Sequence, residues 1–250
     1  TIVHKAFMTE LVDVAESDPR IAVCMANTVN PNAPDYPAKE RVEMPKCMYI
    51  PRDTIFGNPR IEQRPLVPEP SRVLLGSGVS FLIRRQCFTH AGELFDPSFP
   101  HYATDVDVSL RANTLGWSTV FVPTAVVYHI DNTKTAVGFD LLWRYFIGSR
   151  DRLLAFFKSM TSLEYVLAMP MLLMGIPHKV LVMRSTVRWW MRLVLFCVAI
   201  PLSPVVFAAA LVKMPYLLKR RQDVLDNRQV GSMWLLRHLA NQSALSNSGQ

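Results

Sequence analysis

Asp105 and Asp107 stand two residues apart where a helix is expected to begin, and His129 closes an expected strand. Gly76-Ser77-Gly78 interrupts a third apolar stretch. A carboxylate at the head of a helix can act as a general base if a substrate hydroxyl comes within hydrogen-bond reach. A histidine at a strand end can hold a proton or a metal. Paired glycines let a backbone or a ligand approach closely. Each feature also has a purely structural reading. Thr104 followed by Asp107 resembles a capping box, with carboxylates answering the helix dipole. The histidine can be a satisfied strand-end residue, and the glycines can mark a bulge. G-S-G-V-S-F does not fit the G-x-G-x-x-G phosphate-loop pattern, and no helix directly succeeds it.

The elements that would position these groups are legible along the chain. Thr1–Val14 reads as a helix, with Val3, Phe7, Leu11 and Val14 on one face and Asp18-Pro19 as its stop. Ile21–Met25 reads as a short buried strand. Asn27–Pro70, rich in Pro, Asn and Asp, reads as a long excursion carrying one or two short strands. Ser71–Ile83 reads as a strand broken by the Gly-Ser-Gly. A helix is expected from Thr104 to about Leu115, ended by Gly116. Two short strands, Ser118–Val122 and Ala125–His129, are expected around Pro123. Gly138–Lys158 is an amphipathic helix pattern. The mixture up to about residue 135 argues for an α/β domain, and the remainder of the chain carries only helical signals.

The order of motifs from Val73 to Asn132 resembles the C-terminal half of family 2 glycosyltransferases of the GT-A fold, the rhamnosyltransferase-like members especially. The residues carrying the resemblance are Arg84-Arg85, then Gly92-Glu93-Leu94-Phe95-Asp96, then Thr104-Asp105-Val106-Asp107-Val108. Arg111, Gly116-Trp117 and Val127-Tyr128-His129 complete it. Downstream, Arg144–Lys158 looks like the family's Tyr…Arg-Asn helix, and the basic tail Lys219–Arg228 also fits. Thr104 stands where the motif has Glu, Val108 where it has Leu, and Asp151 where the family has Asn.

The resemblance implies an inverting transfer from a nucleotide-diphosphate sugar donor. It implies Asp105 as the general base, and His129 as a helper in holding a divalent metal, Mg or Mn. Gly76, Ser77 and Gly78 would line the substrate site, with Asp107, Arg111 and Trp117 around it mainly as scaffold. The family's main Asp-x-Asp metal ligands precede the part that this chain resembles, and Thr1–Val14 looks like the helix that comes after them. The expectation is therefore a partial GT-A (Rossmann-like) domain, truncated just past Asp-x-Asp and inactive in isolation.

Half of the residues are hydrophobic and 19% are charged, which excludes a disordered chain. A formal net charge of +7 favours an anionic partner. Cys24, Cys47, Cys87 and Cys197 show no close pairing, which excludes a disulfide-dense scaffold and a zinc ribbon. Leu193–Val212 is a run of twenty residues without a charge, about 30 Å as a helix and enough to cross a bilayer. Tyr165–Pro177 is too short to do so. Between them His178–Arg192 sets Arg184, Arg188 and Arg192 on one face beside Trp189 and Trp190, as an interfacial helix would. Both flanks of the apolar run are basic, and Pro201 and Pro204 lie near its middle. The preferred expectation is a hairpin returning to the cytoplasmic face, with the helix broken at the Pro pair. A single crossing is the near alternative, and a buried helix of a soluble protein is the third reading, which leaves the basic-Trp stripe unexplained.

The organisation expected is a transferase half-domain at 1–137, a linking helix at 138–160, a membrane-associated helical region at 161–218 and a basic helix with polar tail at 219–250. The acceptor would be lipid-linked or a polysaccharide, at the cytoplasmic face of the cell membrane. A non-catalytic membrane-bound half-domain that pairs with another chain is the alternative. A nucleic-acid partner is set aside, because the basic residues cluster around apolar runs and no aromatic-basic module is present.

Overall fold

A computed structural model describes residues 1–29, 47–52, 60–89, 93–129, 138–182 and 189–239. The transferase-like half is a mixed α/β layer. Its strands are β1 (Ile2–Val3), β2 (Ile21–Val29), β5 (Ser71–Val73), β6 (Phe81–Ile83) and β7 (Ser118–Tyr128). β2 and β7 run parallel at the centre, and β6 pairs antiparallel with β2. The outer edge of β7 is shared: β5 pairs with its first half at Thr119–Phe121, and β1 with its end at Val127–Tyr128. β2 extends past the expected Met25 to Val29, so the excursion expected from Asn27 begins only after it, and within it β3 (Cys47–Arg52) and β4 (Arg60–Pro65) form a separate antiparallel pair. This α/β arrangement is consistent with a partial GT-A domain.

The central strands are apolar on both faces, as strands covered on both sides must be. Val23, Met25, Val29, Phe121, Val122, Val126 and Val127 are all buried. Helix α1 (Phe7–Ser17) covers one face with Leu11 and Ala15. Helix α2 (Thr104–Thr114) covers the other with Val108 and Ala112.

Three expected elements take a different form. The first helix does not begin at Thr1: Ile2 and Val3 pair with the open edge of β7, and α1 begins at Phe7. The two short strands around Pro123 are one strand. Ala26 pairs with Val122 and Asn27 with Val126, so Pro123-Thr124-Ala125 bulge out of the ladder. Proline lacks the N–H that the ladder would need, and a bulge removes that need. Ser71–Ile83 is not one interrupted strand but two, which pair with different partners on either side of the glycines.

Three long helices, α3 (Gly138–Ser159), α4 (Ser162–Val182) and α5 (Trp189–Asp226), follow, and residues 234–239 are helical as well. Pro201, Pro204 and Pro215 all lie inside α5, which remains one helix through them. The expected break at the Pro pair is therefore absent. α4 and α5 instead form an antiparallel pair, with Arg221 reaching Ser162 at one end and the connection at 183–188. Arg184 and Arg188 of the expected interfacial stripe lie outside the described residues. The segment Phe196–Asp226 is long and apolar enough to cross a membrane, and only 17% of its most apolar window is buried in the protein. A core helix of a soluble protein would hide that surface. Here Val198, Ile200, Val205, Val212 and Leu218 are exposed, as are Leu163, Val166 and Met174 of α4.

Candidate active site

The segment Leu74–Gly78 lies along one face of α2, held by three side chains spaced four apart. Asp105 Oδ2 accepts the N–H of Gly78 at 2.9 Å. Ser109 Oγ accepts the N–H of Gly76 at 3.0 Å. Asn113 Nδ2 donates to the Leu74 carbonyl at 3.2 Å and to Thr119 Oγ1 of β7 at 3.1 Å. Residues i, i+4 and i+8 share one helix face, so the stripe meets alternate residues of the segment beside it. Of these three side chains, Asp105 is the one that the sequence places at the site. Ser109 and Asn113 escape that reasoning, although their spacing from Asp105 is an available signal.

Asp105 is half-buried and Gly78 is exposed, so the carboxylate sits at a surface mouth. Its Oδ1 lies 3.0 Å from the backbone nitrogen of Val106. The residue at the helix cap, Ala103, has a left-handed backbone at φ 58. A non-glycine residue there stores strain, a feature concentrated at functional sites. Thr104 does not cap the helix; its hydroxyl donates to the Phe99 carbonyl at 2.9 Å. The capping-box reading of Thr104 and Asp107 is therefore not realised.

The glycines are required by proximity. A Cβ on Gly76 would lie 2.8 Å from the Phe81 ring and 3.0 Å from Ser109 Oγ. A Cβ on Gly78 would lie 3.2 Å from Cβ of Asp105. Gly76→Ala should therefore cost about 1–3 kcal/mol through overpacking. Gly78→Ala should leave stability nearly unchanged and lower transfer by about tenfold or more, since it presses on the carboxylate. Denaturant unfolding and transfer rates measured on both variants check this pair. Equal effects of the two on both readouts would contradict it.

Asp107 and Arg111 are wholly buried beneath this mouth. Arg111 Nε donates to Asp107 Oδ2 at 2.8 Å, and its terminal nitrogens reach the carbonyls of Glu93 and Leu94. Lys158 Nζ of α3 bridges Asp107, at 3.0 Å, and Asp96, at 2.7 Å. Arg220 of α5 donates to the other oxygen of Asp96 and to Ser98 Oγ. Burial alone would raise the Asp96 carboxyl, but the Lys158 charge and the Ser98 bonds hold it below its ordinary range. The network thus fastens α3 and α5 to the first turn of α2. Nothing in the sequence pattern groups Lys158, Asp96 and Arg220.

Trp117 lies beyond the far end of α2, with about 14 Å of helix rise between it and Asp105. It is half-buried against the cluster of Ala22, Val23 and Cys87. Gly116, at φ 79, ends the helix in the left-handed conformation that favours glycine. Gly92 lies outside the described residues. His129 comes directly after β7, its Nδ1 3.0 Å from Thr1 Oγ1 and its N–H bonded to the Val29 carbonyl. Among the described residues no three His, Cys, Asp or Glu side chains come together as a metal site. Of the groups that the expected divalent ion would need, the described residues offer the imidazole of His129 and do not complete a coordination shell.

No curated protein matches the chain. The model of the glycosyltransferase-like family 2 matches residues 2–146, which take in the whole sheet, Asp105 and His129. That match covers more than half of the sequence, and the chain belongs to the glycosyltransferase-like family 2.

Proposed function

We propose that this glycosyltransferase moves a sugar, with inversion, from a nucleotide-diphosphate donor to a hydroxyl of a lipid-linked or polysaccharide acceptor at the cytoplasmic face of a membrane. The observation that carries the reading is Asp105, a half-exposed carboxylate held at a glycine-lined mouth by the N–H of Gly78. In the proposed reaction the acceptor oxygen attacks the anomeric carbon. Its proton passes to Asp105, and the bond from that carbon to the diphosphate oxygen breaks. A base so placed raises the nucleophilicity of the hydroxyl as the new bond forms. Gly76 and Gly78 let the Leu74–Gly78 backbone lie close against α2, which places the carboxylate at the surface. A divalent metal, Mg or Mn, would neutralise charge on the departing diphosphate, with His129 as one of its ligands. The exposed apolar sides of α4 and α5 support membrane association.

Membranes from cells expressing the full protein should release nucleoside diphosphate from one of a panel of nucleotide-diphosphate sugars, only when acceptor is present. The anomeric configuration of the product, read by NMR, should be opposite to that of the donor. A product of retained configuration, or no acceptor-dependent release from any donor, would overturn the reading.

A further inference from the structure

Between α4 and α5 lies a groove of about 700 Å³, lined by apolar side chains that include Val166, Met169, Leu173, Phe207 and Leu211. Among the described residues its one cationic lining side chain is Arg221. That residue is only 6% exposed. The guanidinium lies over the Phe157 ring at 4.4 Å, and Nη2 donates to Ser162 Oγ at 3.2 Å. Nη1 is buried and has no hydrogen-bond partner among the described residues. The nearby carboxylate, Glu164, is itself buried and already accepts from Arg228 at 3.1 Å and from the backbone N–H groups of Thr161 and Leu236. Glu164 is thus paired with Arg228, and among the described residues Arg221 has no carboxylate in contact with it, which leaves a surplus positive charge at the head of the groove. An uncompensated buried charge is costly unless a counter-charge arrives.

The groove also has the dimensions of a lipid site. Phe207 and Arg221 are fourteen residues apart on α5, about 21 Å along the helix. One leaflet of hydrocarbon is about 15 Å deep, half of the roughly 30 Å core. The flanks of the groove, Val166 at 66% exposure and Val212 at 73%, are apolar and open sideways. At the charged end Lys219 is exposed beside Tyr216, the pairing found at the headgroup level of a bilayer. A lipid of the surrounding leaflet reaches such a groove without leaving the membrane.

We propose that the groove seats one anionic phospholipid of the bilayer, with an apolar chain between α4 and α5 and its phosphate on Arg221. The phosphate fills the open Nη1 and balances the surplus charge. The seat fixes the helical pair in the leaflet, and the Arg220–Asp96 pair next to it carries that position to α2. The inference rests on the membrane association proposed above.

Native mass spectrometry of the full chain, in detergent with added lipid, tests it. The probes are phosphatidylglycerol, phosphatidylcholine, a polyprenyl monophosphate and inorganic phosphate. The chain should retain one phosphatidylglycerol at least tenfold better than phosphatidylcholine. Arg221→Gln should erase that preference. Val166→Trp, at an exposed lining position that folding does not depend on, should reduce retention of phosphatidylglycerol. Unchanged preference in both variants would overturn the proposal. So would a polyprenyl phosphate held tenfold better than phosphatidylglycerol, which would make the groove an acceptor site, or displacement of the lipid by inorganic phosphate alone. Recovery of the protein in the soluble fraction after cell lysis would overturn the membrane reading itself, whereas a membrane-bound chain without lipid preference would overturn only the groove.

Discussion

Asp105→Asn should lower transfer by about two to four orders of magnitude while leaving the fold intact. The amide has the shape of the carboxylate and keeps an oxygen to accept the N–H of Gly78. It cannot take a proton from an acceptor hydroxyl. The position is half-exposed, so no buried charge is lost and the unfolding midpoint should stay within experimental error. Asp105→Glu keeps the base and displaces it by a methylene, and should recover only part of the rate. The measurement is kcat/KM with donor and acceptor at neutral pH, beside a denaturation curve for each variant. Donor binding should be preserved in Asp105→Asn, because the loss lies in proton transfer and not in recognition. A variant retaining more than a tenth of the rate would remove Asp105 from the role of base. The same loss accompanied by unfolding would make the residue a positioning group for the Leu74–Gly78 segment.

How far the site is legible in the sequence depends on what each signal measures. Local chemistry marks α2 closely: Thr104 and Gly116 bound it in the sequence, and the helix runs Thr104–Thr114. The strand β7 reads as two pieces because Pro123 is a ladder breaker when viewed alone. Its partner β2 supplies the register that continues on both sides of the bulge. Val3 fits the helical stripe of Phe7, Leu11 and Val14 in spacing, yet the open edge of β7 takes it into a strand. No local pattern contains that edge. Ser109 and Asn113 look like ordinary short polar residues on a helix surface until the glycine segment is laid against them. Pro201 and Pro204 argue for a break, but α5 runs on through them, with one side packed on α3 and α4. The charges that join the two halves come from positions far apart in the chain. Their pairing is set by the packing of α3 and α5 on α2, which the sequence pattern does not state.

Breaking that charged junction should be the most destabilising change in the protein. Asp107→Ala would leave Arg111, with no exposed surface, facing the gap without a counter-charge, held by the carbonyls of Glu93 and Leu94 and by the Phe88 ring. Removing one partner of a buried pair costs about 3–5 kcal/mol, a large share of the roughly 5–15 kcal/mol that holds a typical domain. Lys158→Met should cost less, because Asp107 keeps Arg111 and Asp96 keeps Arg220 and Ser98. The double change Asp107→Leu with Arg111→Met removes both charges and should be milder than the sum of its parts. It cannot be neutral, since two carbonyls then lose their donor. Acid should act on the same junction from the Asp96 side. A carboxyl held below its ordinary pKa contributes its full stabilisation above the unfolded value, near 4, and loses it as the pH falls through the folded value. The junction is therefore intact at neutral pH and weakens only in strong acid. Chemical denaturation in mild detergent at neutral pH and at about pH 3 measures both effects. The acid-induced loss should shrink in Lys158→Met, which removes the main counter-charge of Asp96. An Asp107→Ala protein as stable as the parent would mean that the buried charges do not hold α3 and α5 to α2.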